Sequence, residues 1–467
     1  MKSKLKQQNA ITLVALIITI IVLLILAMVS IALVMNSGII TKSKTAVDKY
    51  SEEEIQEQIK LAYSEWQMGQ YSGVTDDAPT FVKNKLNSIY GPGTVTNATA
   101  ENGILTVELT NGKTYTYNVA TGKAEKVKTI AEYPTITATT NNSAVEENSK
   151  YVSDNKTAII PKGYMISNVE AEQSIDTGLV IKKDGNEWVW IPVANVTDLY
   201  DTNTSDTEWI LCGTSGDNKV VSSYASKSEI LSGKTRTTPG TTSDPYYREP
   251  DTVVRNGSEY DAVQANRTAA GFTTLENMAT KLKDDYKNMI ESVRKNGGFY
   301  VGRYELSNAG TQKNQPSLTN TRWYNLYAAC KNIDTTNTSI ETRMIWGCQW
   351  DQVCKFIETA KDANGDTISL SDSTKYGNYS NSQAPANTGK GVKKNTGSNE
   401  AWKTNNIYDL AGNCCEWTQE ANRADGRTRC GGSYTDKGNN KPVTYRYGAC
   451  PTDIYSYYSS RPVLYVK

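Results

Sequence analysis

The chain contains no histidine, and toward its end it carries Asn406-Ile-Tyr-Asp-Leu-Ala-Gly-Asn-Cys-Cys-Glu-Trp417 followed by Cys430-Gly-Gly-Ser-Tyr434. Imidazole is the commonest base near neutral pH and a frequent metal ligand, so its absence excludes Ser-His-Asp and Cys-His nucleophile arrangements. Eight cysteines all follow residue 200, and none forms a Cys-x-x-Cys pair. Zinc and thioredoxin-like readings are therefore poor, while disulfides and free thiols are both compatible with the spacing. No Gly-rich loop with Lys-Ser or Lys-Thr opens a helix to cradle phosphate. No motif nominates a pair of carboxylates for glycoside hydrolysis. These residues favour a domain that binds something over one that transforms it.

The elements that must position them are legible in part. A length of 467 residues suggests two or three domains. The 50 basic and 50 acidic side chains cancel, so no global field steers the chain to nucleic acid. Ile55, Ile59, Ala62, Tyr63 and Trp66 recur at helical spacing behind Ser51-Glu-Glu-Glu54, a capping box. Leu105, Val107 and Leu109 alternate on one strand, and Tyr115, Tyr117 and Val119 on the next. A three-residue loop, with Gly112 left-handed, sets Val107 opposite Tyr115 and Leu105 opposite Tyr117. Residues 128–151 read as a linker. Beyond it, 178–191 read as two strands joined by an Asp-Gly turn. Leu275, Met278, Leu282, Tyr286, Met289, Ile290 and Val293 read as an amphipathic helix stopped by Gly297-Gly298, and 299–306 as a strand. A second helix is expected over about 350–361, and a polar insertion over about 201–270.

Residues 11–35 form an uncharged stretch behind Lys2, Lys4 and Lys6. As a helix it would run about 37 Å, enough for a hydrocarbon core of about 30 Å. The expectation is a single membrane pass with the basic leader, 1–10, in the cytoplasm and the bulk of the chain outside. Asn9-Ala-Ile-Thr-Leu-Val-Ala-Leu16 resembles a type IV prepilin leader. That resemblance implies cleavage between Ala10 and Ile11, a pilin-like unit over 36–127, and pilus subunits as partners. The family's usual Gly is Ala10 here, and its usual Glu is Ala15.

Five segments, in order, resemble the formylglycine-generating (sulfatase-modifying) enzyme family, whose fold is a C-type-lectin variant. They are Gly298-Phe-Tyr-Val-Gly-Arg-Tyr-Glu-Leu306, Arg343-Met-Ile-Trp-Gly-Cys-Gln-Trp350, Ile407-Tyr-Asp-Leu-Ala-Gly-Asn-Cys-Cys-Glu-Trp417, Cys430-Gly-Gly-Ser-Tyr434 and Ser460-Arg-Pro-Val-Leu-Tyr465. The implied fold is α+β, with a loop-rich lectin-like domain over 152–467. The family's enzymes bind copper through two cysteines just after Gly-Gly-Ser. Residues 433–447 contain no sulfur, with Asp436 and Thr444 near those places, so no copper is expected. The resemblance also implies a calcium site at Asp409, Gly412, Cys414 and Glu416, through two carboxylates and two carbonyls.

The functional expectation is a non-catalytic bacterial surface protein whose lectin-like head binds a protein or glycan. Its candidate surface is Tyr434, Tyr445, Tyr447, Tyr455, Tyr457 and Tyr458, interleaved with Asn, Asp, Ser and Thr as in adaptable paratopes. Alternatives are a minor pilin, a variable protein of a diversity-generating retroelement, and a formylglycine-generating oxidase, the last disfavoured by the missing cysteines.

Overall fold

Three glutamates open the first helix, α1 (Glu52–Gln70), where their charge suits the helix dipole, and the helix buries Ile55, Ile59, Ala62 and Tyr63. The computed structural model describes residues 52–101, 103–138, 143–194, 196–199, 210–211, 247–248, 261–385, 390–423 and 426–467. Ser51 of the expected capping box lies outside them. A second helix, α2 (Ala78–Tyr90), was not expected from the sequence. Asp77 caps it by accepting the Thr80 N–H at 2.8 Å, and Val82, Leu86 and Tyr90 recur every fourth residue on its buried face. Phe81 and Ile89, apolar but outside that buried face, blur the pattern.

Both helices cover an antiparallel meander of β1 (Val95–Glu101), β2 (Ile104–Leu109), β3 (Thr114–Asn118) and β4 (Lys123–Val127). The register pairs Val107 with Tyr115 and Leu105 with Tyr117, as expected. Gly112, at φ 83°, makes the turn. These elements belong to one compact unit, Met1–Glu132; the other is Tyr133–Lys467.

In the second unit, β5 (Thr135–Ile136), β6 (Ser149–Ser153) and β7 (Lys156–Ile160) form a small sheet. Then come β8 (Met165–Ile166), β9 (Val180–Lys183) and β10 (Asn186–Pro192). Asp184 and Gly185, both at positive φ, close the expected β9–β10 hairpin. Of the polar insertion, the described residues hold a strand pair, β11 (Ile210–Leu211) with β12 (Tyr247–Arg248), and a short helix, α3 (Gln264–Ala269). The chain continues through α4 (Leu275–Asn296), β13 (Gly298–Gly302), α5 (Trp323–Lys331), β14 (Ile340–Met344) and α6 (Gly347–Ile357). It ends with β15 (Lys403–Thr404), β16 (Ile407–Tyr408), β17 (Cys415–Arg423), β18 (Gly426–Cys430), β19 (Arg446–Ala449), β20 (Tyr458–Ser460) and β21 (Pro462–Val466).

Two sheets organise this unit, in strand orders β14-β21-β13-β10-β9-β8 and β19-β18-β17-β20. Thr274 caps α4, Gly297 ends it in the left-handed conformation, and Met278, Leu282, Tyr286, Met289, Ile290 and Val293 are buried. Helix α6 starts and stops a few residues before the expected bounds because Gln349 satisfies the Trp346 N–H at its start. Strand β13 stops at Gly302, where the chain turns into the polar core described below.

Among the described residues, no helix is long and apolar enough to cross a membrane. The single-pass membrane placement is corrected by that finding. Residues 11–35, which prompted it, and the cleavage pair Ala10 and Ile11 lie outside the described residues.

Met289 packs among Tyr286, Val293 and Phe299 in the main core. Met289→Ala should lower unfolding free energy by about 2–5 kcal/mol, read from denaturant titration of the full chain.

Candidate functional site, a tyrosine patch and a buried polar core

Asp409, Gly412 and Asn413 all adopt positive φ, so the Gly-Asn-Cys-Cys segment turns sharply before entering β17. A Cβ at Gly412 would lie 2.3 Å from the Asn378 carbonyl oxygen, which leaves no room for a side chain. The turn delivers Glu416 to Arg461, and both are buried. Arg461 Nε donates to the two carboxylate oxygens at 3.1 and 2.9 Å, and Nη2 donates at 2.6 Å. The same guanidinium donates to the Gly302 and Tyr408 carbonyls. One side chain thus ties β13, β16, β17 and the start of β21 together.

Beside this pair, Glu305 accepts from the Cys414 N–H at 2.9 Å and the Asn413 amide at 2.6 Å, and contacts the Ser317 hydroxyl. Asp409 Oδ2 accepts from Thr396 Oγ1 at 2.9 Å and the Gly397 N–H at 2.7 Å. Three carboxyls and one guanidinium are buried here. Burial, with Asp409 and Glu416 repelling it, holds Glu305 well above the ordinary carboxyl range. Burial lifts Asp409 to about 6 against its two donors, and Glu416 to about 7 against the downward pull of Arg461.

Of the four residues implied for calcium, Asp409 and Glu416 come together, but Glu416 is committed to Arg461. Asp409 Oδ1 is left as a buried carboxylate oxygen without a hydrogen bond. Cys414 joins the network through its N–H, and Gly412 bridges to Asn378. Among the described residues, no group of three or more acids or cysteines is arranged to hold a metal ion. The described cysteines are free thiols, and all but Cys450 are buried. Burial raises the Cys414 and Cys430 thiols well above the ordinary range, which makes them poor nucleophiles. Asp436 accepts from the Ser433 N–H and hydroxyl and pairs with Lys441, while Thr444 donates to the Leu370 carbonyl.

The tyrosines gather on the four-stranded sheet. Its register places Arg429 opposite Tyr447 on one side and Trp417 on the other, with Cys415 opposite Tyr458. Arg429 therefore meets Cys415 diagonally, donating Nη1 to Sγ at 3.0 Å. Its guanidinium carbon sits 4.9 Å from the Tyr447 ring centre and 4.5 Å from that of Tyr458. Tyr455 and Tyr457 stack at 5.1 Å, and each meets Tyr458 edge-on at 4.9 Å. Tyr445 stacks on Tyr447 at 6.4 Å, and Tyr434 shares a hydrogen bond with Ser456.

Tyr455 is 43% exposed; Tyr434, Tyr447 and Tyr457 are half-buried; Tyr445 and Tyr458 are buried. The sequence brought the six tyrosines forward but missed Arg429 among them. Its signal was the alternation of Arg427 and Arg429 in a strand ending at Cys430, which puts both on one face.

No family model and no curated protein matches the chain. Two solved structures are similar to part of it. Treponema denticola variable protein 1 is 14% identical with a TM-score of 0.26, covering 36% of this chain and 84% of that one. PvdO from Pseudomonas aeruginosa is 12% identical with a TM-score of 0.28, covering 37% and 82%.

Glu416→Ala leaves Arg461 buried without its anion and should cost about 3–5 kcal/mol in denaturant titration. The raised carboxyls also set a pH dependence. Folded pKa values above the unfolded ones give stability that is full below about pH 4. It should fall as pH rises through about 6, where Asp409 gives up its proton. Glu305→Gln should make that decline shallower in melting temperatures measured from pH 4 to 8; an unchanged slope contradicts the assignment.

Proposed function

We propose that the unit Tyr133–Lys467 is a lectin-like, non-catalytic binding head, and that its ligand, a protein or a glycan, lands on the tyrosine patch. The supporting observation is the gradient of burial within one aromatic cluster. Tyr445 and Tyr458 are anchored, while Tyr455 stands open with one face stacked on Tyr457. Rigid rings held by their neighbours lose little conformational entropy on binding, which is why recognition surfaces favour them. Against catalysis stand the missing sulfur in residues 433–447 and the burial of every described cysteine except Cys450.

A second reading, a surface that differs among sibling proteins, is favoured by one observation. Ile454 and Tyr455 are exposed beside a buried framework at Ser459, Ser460 and Arg461, so the tip can change without touching the core. Sibling sequences differing only between about 434 and 459 would bear it out.

Tyr455→Ala and Tyr457→Ala should each weaken binding about tenfold or more, roughly 1.4 kcal/mol. Tyr455→Ala should leave stability within about 0.5 kcal/mol. The measurement is a titration of the full chain against the strongest hit from protein and glycan arrays. Unaltered affinity in both variants places the ligand elsewhere.

A further inference from the structure

Five arginines are buried among the described residues, and four of them meet a carboxylate. Arg303 pairs with Glu172 and Glu187, Arg427 with Asp261, Arg446 with Asp351 and Glu420, and Arg461 with Glu416. Arg429, 6% exposed, is the exception. Its one side-chain hydrogen bond goes to the Cys415 sulfur. Burial keeps the Cys415 thiol above its ordinary range, so it stays neutral near pH 7 and offers no countercharge. The rings of Tyr447 and Tyr458 give the guanidinium a polarisable face but no anion. A desolvated cation without an anion is a standing cost in the free protein.

We infer that the tyrosine patch is built to receive a carboxylate from an acidic peptide segment of a protein partner, with Arg429 as the countercharge. The inference rests on the reading of the patch as the binding surface and names the chemistry of its ligand. A guanidinium presents parallel N–H donors that match a carboxylate, and the pairing strengthens when water is excluded. Tyr455 and Tyr457 supply the apolar cover that excludes it. Arginine and tyrosine at the centre of a patch, ringed by smaller polar residues, also make up the composition of protein-binding hot spots.

The test is a panel of immobilised peptides that differ only in Asp or Glu against Asn or Gln, probed with the full chain, beside a panel of neutral and uronic-acid sugars. Acidic peptides should bind at least about tenfold more tightly than their amide versions, and Arg429→Met should abolish that preference. Because Arg429→Met could act through folding, its melting temperature is compared with that of Arg427→Met. Arg427 loses a carboxylate pair and Arg429 does not, so Arg427→Met should fall and Arg429→Met should stay level or rise. Equal binding of acidic and amide peptides, binding of acidic sugars alone, or a drop in Arg429→Met as large as in Arg427→Met overturns the inference. If ligands bind regardless of charge but still depend on Tyr455 and Tyr457, the patch stands and its acidic specificity fails. Loss of the tyrosine dependence removes both.

Discussion

The ion pair between Glu416 and Arg461 is the constraint on which the second unit's geometry depends. It lies where two sheets and a sharp turn converge, and the arginine uses its remaining donors on carbonyls from two further strands. A pair so deeply buried contributes little net stability, because removing both charges from water roughly offsets their attraction. Its effect is on arrangement. The guanidinium's donors reach β13, β16 and β17 from the residue that precedes β21, and so hold the four strands in register with one another. The same placement fixes where β17 and β20 run side by side, and so where Tyr458 faces Cys415.

The tyrosine patch inherits its precision from that arrangement. Strand β20 leads directly into Arg461, so the anchored end of the patch is a few residues from the ion pair, while Ile454 and Tyr455 project beyond it. A rigid base with an exposed tip is the form that binding surfaces take when their loops sit on a fixed scaffold. The polar core beneath carries more carboxyls than cations, and burial keeps protons on it that would leave in water. Stability and pH are thereby linked through these buried carboxyls.

Much of this was legible in the residues. Strong periodicity exposed α1 and α4, and turn chemistry gave the Asp184-Gly185 hairpin and the register across Gly112. Helix α2 escaped because Phe81 and Ile89, apolar but off the buried face of Val82, Leu86 and Tyr90, blur the stripe. Helix α5 escaped because it is only nine residues long, so the helical spacing of Trp323, Tyr324, Leu326, Tyr327 and Cys330 runs for little more than two turns. The tyrosines were visible as a composition, yet which of them stand open depends on the pairing of strands far apart in sequence. Glu305, Arg461 and Arg429 were harder still. Each is an ordinary charged residue in its local context, and only the tertiary pairing shows that two are matched and one is not. Asp409 and Glu416, the carboxylates implied for calcium, are both buried, and the arginine that occupies Glu416 comes from the far end of the chain.

On the proposed reading, ligand meets protein at the exposed end of the aromatic cluster. Hydroxyl-radical footprinting of the full chain, free and with its strongest array hit, tests this most directly. Protection should concentrate at Tyr434, Tyr447, Tyr455 and Tyr457, with Tyr300 and Tyr327, deep in the core, unchanged. Protection confined to any other surface, with these four tyrosines oxidised as fast as in the free protein, would contradict it.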